Sequence, residues 1–280
     1  MKDDTAMRAE LPEAEAGGEI APIYAEIRRL CAVPYVSSLQ RHLATRPGWL
    51  EWAWGAVAPV FRSGLAQEGA WRLAGDMQLE PLPALSRPVL RRWGVAPDDE
   101  ATIRAVCDSF IRVSPVNMVF SSLIKALLQG EGATGKGAEA GSRVWTPPPD
   151  LPPLPALVDP DGLPEAEREI LLGFRSGQGA APFVPGLYRM LAHWPGLLAH
   201  LHAVLAPRLA APAMQAAGLL LGRRIDELVP RVMAQLPPGA GMPPPPSGEH
   251  AAVLMALQDY RVTSPQMVIV GRLIREAMPD

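Results

Sequence analysis

The strongest constraint in this sequence is an internal repeat. Residues 34–50 align without a gap with residues 182–198, and ten of the seventeen pairs are identical or exchange only Tyr for Phe. Farther on, residues 112–119 match residues 261–268 at an offset only one residue larger. The shared positions include Arg, Gly, aromatic and Met residues, which chance matches in Ala/Pro/Leu-rich sequence do not explain. The chain therefore contains two copies of one unit.

The repeat predicts how the chain is organised. Residues 1–19 are rich in Ala, Glu and Gly, and we expect a disordered tail there. Residues 20–129 form the first repeat and residues 161–280 the second. Residues 130–160 are first Gly-rich and then Pro-rich, which is typical of a semi-rigid linker. Like halves commonly pack about a pseudo-twofold axis, so we expect a pseudo-dimer with a pocket in the cleft between the halves.

Both repeats should be helical. Ala, Leu, Arg and Glu are plentiful, whereas the residues that favour strands are sparse and aromatic residues make up only 6% of the chain. At the start of the first repeat, apolar side chains recur with helical spacing at Ile20, Ile23, Tyr24, Ile27 and Leu30. The sequence therefore predicts an all-α fold.

Composition also bears on partners and location. A net charge of −3 gives no basic field, which argues against nucleic acid as a partner. The longest apolar stretches are shorter than the roughly 20 residues of a spanning helix, so no membrane partner is expected. The charged N-terminus is unlike a signal peptide. Cys31 and Cys107 are far apart and fit a reducing compartment, so we expect a cytoplasmic protein. His200 and His202 lack the spacing of metal ligands, and no metal site is predicted.

The paired Pro-aromatic-Val…Arg…Leu-Ala…Pro-Gly blocks, the linker and the block around Asn117 together resemble the group I α-haloacid dehalogenase family. The resemblance covers roughly residues 20–280. It implies an all-α pseudo-dimer with no metal or organic cofactor, whose ligand is a small molecule such as a small acid. Members replace the halogen of a 2-haloacid with hydroxyl through attack by an activated water. Association of two chains into a homodimer stays open.

The resemblance also implies site residues. Asn117 matches the asparagine that aims the attacking water, and the substrate pocket is expected at Tyr35, Ser38, Leu39, Gly186, Leu187 and Tyr260. The family's general base is an Asp early in the second half. Its place falls within residues 185–187, where this chain has Pro, Gly and Leu and no carboxylate.

Two hypotheses for function therefore remain open. The first is a cofactor-independent hydrolase acting on carbon–halide bonds, with Asn117 orienting water. The alternative is a non-catalytic relative that kept the pseudo-dimer and binds a small apolar or acidic molecule in the cleft. Release of halide from 2-chloropropionate would separate the two hypotheses.

Overall fold

The computed structural model describes residues 9–131, 145–175, 183–242 and 248–279. Within these ranges the regular structure is helical, and they contain no β-strand. Short 3-10 helices occupy Glu13–Glu15 and Pro160–Gly162. The α-helices are α1 (Ile20–Cys31), α2 (Ser38–Leu43), α3 (Trp49–Arg62), α4 (Leu65–Gly75), α5 (Arg87–Arg92), α6 (Pro97–Leu128), α7 (Glu165–Leu172), α8 (Gly186–Leu191), α9 (Pro195–Ala210), α10 (Pro212–Met233) and α11 (His250–Ala277). The predicted all-α fold is confirmed.

Helices α6 and α11 form the centre of the fold and share its most extensive helix–helix contact. Helix α6 starts at Pro97, where a missing N–H costs nothing, and its first turn is acidic, as the helix dipole favours. The Asp99 carboxylate accepts a hydrogen bond from the Ala96 N–H at 2.8 Å and so caps this end. A Cβ at Gly271 of α11 would lie 3.2 Å from the Cys107 carbonyl oxygen of α6, so glycine permits the close approach.

Among the described residues, α6 is long and apolar enough by itself to cross a bilayer, and α9 with α10, which are bent by 75° at their junction, reach that length and composition only together. In the protein, 72% of the most apolar 18-residue window of α6 is buried. The apolar surface of α6 is therefore used to form the core, which explains why its hydrophobic residues surround the helix instead of following one stripe.

The two short helices α2 and α8 pack across the molecule. Helix α2 of the first half contacts α11, and α8 of the second half contacts α6. Each short helix follows a Pro-aromatic-Val segment, and each thus rests on the long helix of the other half. This crossed arrangement brings residues from both halves to the middle of the molecule.

Backbone hydrogen bonds of the two halves agree with the predicted repeat. The Leu11 N–H donates to the Arg41 carbonyl at 3.0 Å, and the Val158 N–H donates to the Arg189 carbonyl at 3.3 Å. Arg41 and Arg189 are partners in the alignment. Leu11 and Val158 are thus placed alike beside α2 and α8, while the duplication itself stays a prediction.

Residues 9–19 differ from the predicted disordered tail. The Glu13 carboxylate accepts a hydrogen bond from the Val36 N–H at 2.6 Å and pairs with Arg28. Composition alone suggested disorder, but a few charged contacts hold this segment to α1 and α2. Residues 1–8 of the predicted tail and 132–144 of the predicted linker lie outside the described residues.

The close approach of α6 and α11 can be tested at Gly271. We expect Gly271→Val to lower the free energy of unfolding by about 1–3 kcal/mol, because a branched side chain there must push against Ile111 and the Cys107 carbonyl. Urea denaturation followed by tryptophan fluorescence measures this change. Gly222→Ala in α10 is the control, since a Cβ there meets nothing within 4 Å. The control should stabilise by about 0.5–1 kcal/mol through helix propensity, and equal losses in both variants would contradict the packing argument.

Candidate ligand-binding site

A small cavity lies where α2, α6, α11 and the start of α8 meet. Its volume is about 40 Å³, which is room for on the order of three water molecules. Larger open grooves of about 490–560 Å³ lie elsewhere on the surface, and none of them contains a predicted site residue. The cavity is lined by Tyr35, Ser37, Ser38, Arg41, Phe110, Val113, Ser114, Asn117, Leu157, Phe183, Pro185, Gly186, Tyr260, Thr263, Ser264 and Met267.

The lining can be compared with the seven residues predicted from the sequence. Five of them line the cavity, namely Tyr35, Ser38, Asn117, Gly186 and Tyr260. Leu39 and Leu187 do not line it, because both are fully buried in the hydrophobic core. Successive residues of a helix are turned by about 100°, so the neighbours of Ser38 and Gly186 face away from the cavity.

Sequence reasoning missed several lining residues, of which Arg41 matters most. Arg41 follows Ser38 by three positions and therefore lies on the same face of α2, a signal available from the sequence. Thr263 belongs to the block that aligns with the Asn117 block, so the internal alignment could have predicted that it lies near the cavity. Leu157 lies in the predicted linker, and nothing in the sequence pointed to it.

Asn117 is held in a buried triangle of side chains. Its Nδ2 donates to Ser37 Oγ at 2.9 Å, and its Oδ1 accepts from Gln40 Nε2 at 2.9 Å. The Ser37 hydroxyl in turn donates to Gln40 Oε1. An amide offers two donors and two oxygen lone pairs, so Asn117 retains one donor and one lone pair beyond the triangle. The triangle ties α2 to α6 and fixes the orientation of the Asn117 amide.

Gly186 stands at the first position of α8, at the edge of the cavity. A Cβ added there would lie 3.2 Å from Phe110 Cζ and 3.3 Å from Leu157 Cδ2. Both distances are tighter than ordinary contacts, so these two side chains fill the space that a larger residue would need. Of the described residues that line the cavity, none is Asp, Glu or His.

Arg41 gives the cavity its positive charge. Its Nη2 lies 2.5 Å from a carboxylate oxygen of Glu10 and 3.4 Å from Ser38 Oγ. The Arg41 Nε and the Tyr35 hydroxyl are buried and have no hydrogen-bond partner among the described residues. Burial raises the pKa of the Tyr35 phenol above its ordinary value, although the charge of Arg41 opposes the shift. Tyr35 is therefore neutral near pH 7 and can donate a hydrogen bond.

The sequence of the chain is similar to those of two curated proteins. No protein-family model matches the chain. It is 25% identical over 217 residues to an (R)-2-haloacid dehalogenase of Pseudomonas putida, covering 74% of this chain and 70% of that protein. It is 26% identical over 233 residues to a configuration-inverting 2-haloacid dehalogenase of Alcaligenes xylosoxydans xylosoxydans, covering 79% and 76%. The chain is similar to 2-haloacid dehalogenases.

Solved structures agree with the relationship at the level of the fold. A D-2-haloacid dehalogenase mutant superposes with a TM-score of 0.74 at 20% identity, covering 98% of this chain and 97% of that one. The complex of a D-2-haloacid dehalogenase mutant with D-2-CPA gives a TM-score of 0.73 at 19% identity, covering 98% of both chains. The chain thus shares the helical fold of these proteins along nearly its whole length.

The two cysteines lie outside the lining of the cavity. Cys31 and Cys107 are free and buried. Burial raises the pKa of the Cys31 thiol to about 12, and that of Cys107 rises for the same reason. Within the described residues there is no group of three His, Cys, Asp or Glu side chains that could hold a metal ion.

The buried triangle predicts a cost for removing Asn117. We expect Asn117→Ala to lower the free energy of unfolding by about 1–3 kcal/mol, because Gln40 Nε2 loses its partner in a buried position. Urea denaturation measures the loss. Ser121→Ala is the matched control, since Ser121 is equally buried and its hydroxyl bonds only to the Asn117 carbonyl within the helix. A serine hydroxyl that bonds back to a carbonyl of its own helix adds little to stability, so the control should lose less than Asn117→Ala, and an Asn117→Ala variant as stable as the control would contradict the triangle.

Proposed function

We propose that this protein binds a small carboxylic acid in the central cavity and does not hydrolyse a carbon–halogen bond. The observation that carries the proposal is the chemistry of the lining. It offers the cation of Arg41, several hydroxyl groups and the Asn117 amide beside an apolar wall, and residues 185–187, where the resemblance would place a carboxylate, are Pro, Gly and Leu. Such a site can hold an acid without activating water.

The reaction itself sets the requirement that the site does not meet. Displacement of a halogen by water needs a group that removes the proton of the attacking water. General-base assistance contributes roughly 10²–10⁴ in rate. An amide such as Asn117 can orient water but cannot take its proton, Arg41 is already protonated, and the raised pKa of Tyr35 keeps its phenol neutral.

Two groups outside the lining could in principle replace the base. Glu10 is already ion-paired with Arg41, and it does not line the cavity. The ring of His193 is exposed, lies 2.9 Å from the Ala156 carbonyl oxygen and also stands outside the lining. Neither group is placed to accept a proton from a water that Asn117 holds.

Hydrolytic dehalogenation is the second candidate function. Two observations favour it: Asn117 lines the cavity with its amide held in one orientation, and both curated relatives are named 2-haloacid dehalogenases. In this case a group not yet identified would activate the water. If halide is released, replacing Asn117 by Ala should lower the rate by about an order of magnitude or more.

The proposal also includes a cellular location and an arrangement of the two halves. The buried, free thiols of Cys31 and Cys107 suit a reducing compartment, so we propose a cytoplasmic location. We propose that the two halves act as a pseudo-dimer within one chain, so that the site needs no second chain. Size-exclusion chromatography determines whether two chains associate into a homodimer.

The two candidate functions separate in one assay. We expect no halide release above background from D- or L-2-chloropropionate, because the lining supplies no base, together with saturable binding of at least one enantiomer. Ion chromatography measures the halide, and isothermal titration calorimetry measures the binding. Release of halide at an enzymatic rate would overturn this proposal in favour of the second candidate function. If neither enantiomer binds, the proposal is also overturned.

The crowding at Gly186 yields a further prediction. We expect Gly186→Asp alone to destabilise the protein, because Phe110 and Leu157 already occupy the space beside it. Adding Leu157→Ala should make room, so the double variant should be more stable than the sum of the single changes by about 1 kcal/mol. A urea-denaturation double-mutant cycle gives this coupling. Strictly additive losses would contradict the idea that Leu157 fills the space.

A further inference from the structure

The predicted repeat places two arginines at the same position of two equivalent helices. Arg41 is the fourth residue of α2, and Arg189 is the fourth residue of α8. The main-chain carbonyl of each accepts a hydrogen bond from a preceding segment, from Leu11 in one half and Val158 in the other. The two arginines thus have the same helix position and the same type of main-chain hydrogen bond. A difference between their side-chain conformations therefore comes from their surroundings.

The Nε atoms of the two arginines have different surroundings. Arg189 Nε donates to the Val158 carbonyl at 2.9 Å, and Arg189 does not line the cavity. Arg41 does line the cavity, its side chain is only 11% exposed, and its Nε has no partner among the described residues. A buried guanidinium N–H without an acceptor is costly, and such donors in native proteins commonly meet a ligand or water.

Tyr35 supplies a second donor in the same cavity. Its hydroxyl is buried and without a partner among the described residues, and the charge of Arg41 acts on it. The aligned residue of the second half is Phe183, which has no hydroxyl to offer. The first half therefore contributes two lining residues with an unsatisfied donor among the described residues, the cationic Arg41 and the neutral Tyr35.

We propose that Arg41 and Tyr35 form the carboxylate anchor of this site: one ligand carboxylate accepts hydrogen bonds from Arg41 Nε and from the Tyr35 hydroxyl. This inference rests on the proposed binding function and deepens it by naming the recognised group. A carboxylate fits because its oxygens only accept, as a set made of donors requires. The corresponding amide presents an N–H₂ group to one of the donors and should bind less well.

Glu10 modulates this anchor from the N-terminal segment. Its carboxylate already occupies Nη2 of the Arg41 guanidinium, which leaves Nε for the ligand. A ligand carboxylate would then lie near a like charge, which weakens binding. Removing the charge of Glu10 while keeping Arg41 should therefore strengthen binding of an acid, whereas a merely structural role for the Glu10–Arg41 pair predicts the opposite.

Calorimetric titration with D- and L-2-chloropropionate and with the corresponding amides tests the anchor. We expect Arg41→Gln to weaken acid binding by about 10- to 100-fold, the effect of losing a charge-assisted hydrogen bond, and to remove the preference for acid over amide. Arg189→Gln, the matched control from the other half, should leave acid binding unchanged. Glu10→Gln should tighten it, and thermal melts identify any variant that is not folded.

Tyrosine variants provide a second comparison that does not disturb the ion pair. Tyr35→Phe should weaken acid binding several-fold, whereas Tyr188→Phe should not, since the Tyr188 hydroxyl is equally buried and unpartnered but lies outside the cavity. Wild-type protein that binds neither enantiomer overturns the proposed function and the anchor together. If the wild-type protein binds the acid and Arg41→Gln or Tyr35→Phe leaves that binding unchanged, the anchor alone is overturned. The anchor is also overturned if Arg189→Gln or Glu10→Gln weakens acid binding as much as Arg41→Gln does.

Discussion

The packing of α6 against α11 is the contact on which the rest of this structure depends. Gly271 allows the two helices to approach closely at the Cys107 carbonyl, and the helices then serve as both the core and two walls of the cavity. Each carries an interior proline, Pro115 or Pro265, beside the cavity, where a main-chain hydrogen bond of the helix is lost. Since the walls belong to the core, the cavity is small, and its shape is set by side chains that also determine stability.

The central cavity illustrates how two similar halves produce a site without symmetry. The crossed packing of α2 on α11 and of α8 on α6 brings equivalent segments to one place. What differs there is the side-chain content. Arg41 keeps a free Nε while Arg189 satisfies its own with the Val158 carbonyl. The predicted repeat therefore does not impose symmetry on the site, because equivalent arginines in the two halves have different partners.

Much of the fold and part of the site could be predicted from the sequence. The helical class followed from composition and from the spacing of apolar residues, since these reflect local preference and burial. Tyr35, Ser38 and Asn117 were found because the repeat and the family resemblance marked their segments. Leu39 and Leu187 were misplaced because a segment match does not give the direction of each side chain, which the rotation of about 100° per residue decides. Residues 9–19 were misjudged because composition does not record the partners of Glu10 and Glu13.

The sequence by itself determined the helical class, the similarity to the 2-haloacid dehalogenases and the absence of a carboxylate from residues 185–187, where the resemblance places one, and it predicted the repeat. Only the tertiary structure decided that Leu157 of the predicted linker and Phe110 of α6 lie against Gly186, and that Arg41 lines the cavity with an Nε that has no partner among the described residues. The physical reason is that residue types and spacing fix local conformation and burial, whereas a binding site depends on contacts between residues far apart in the chain.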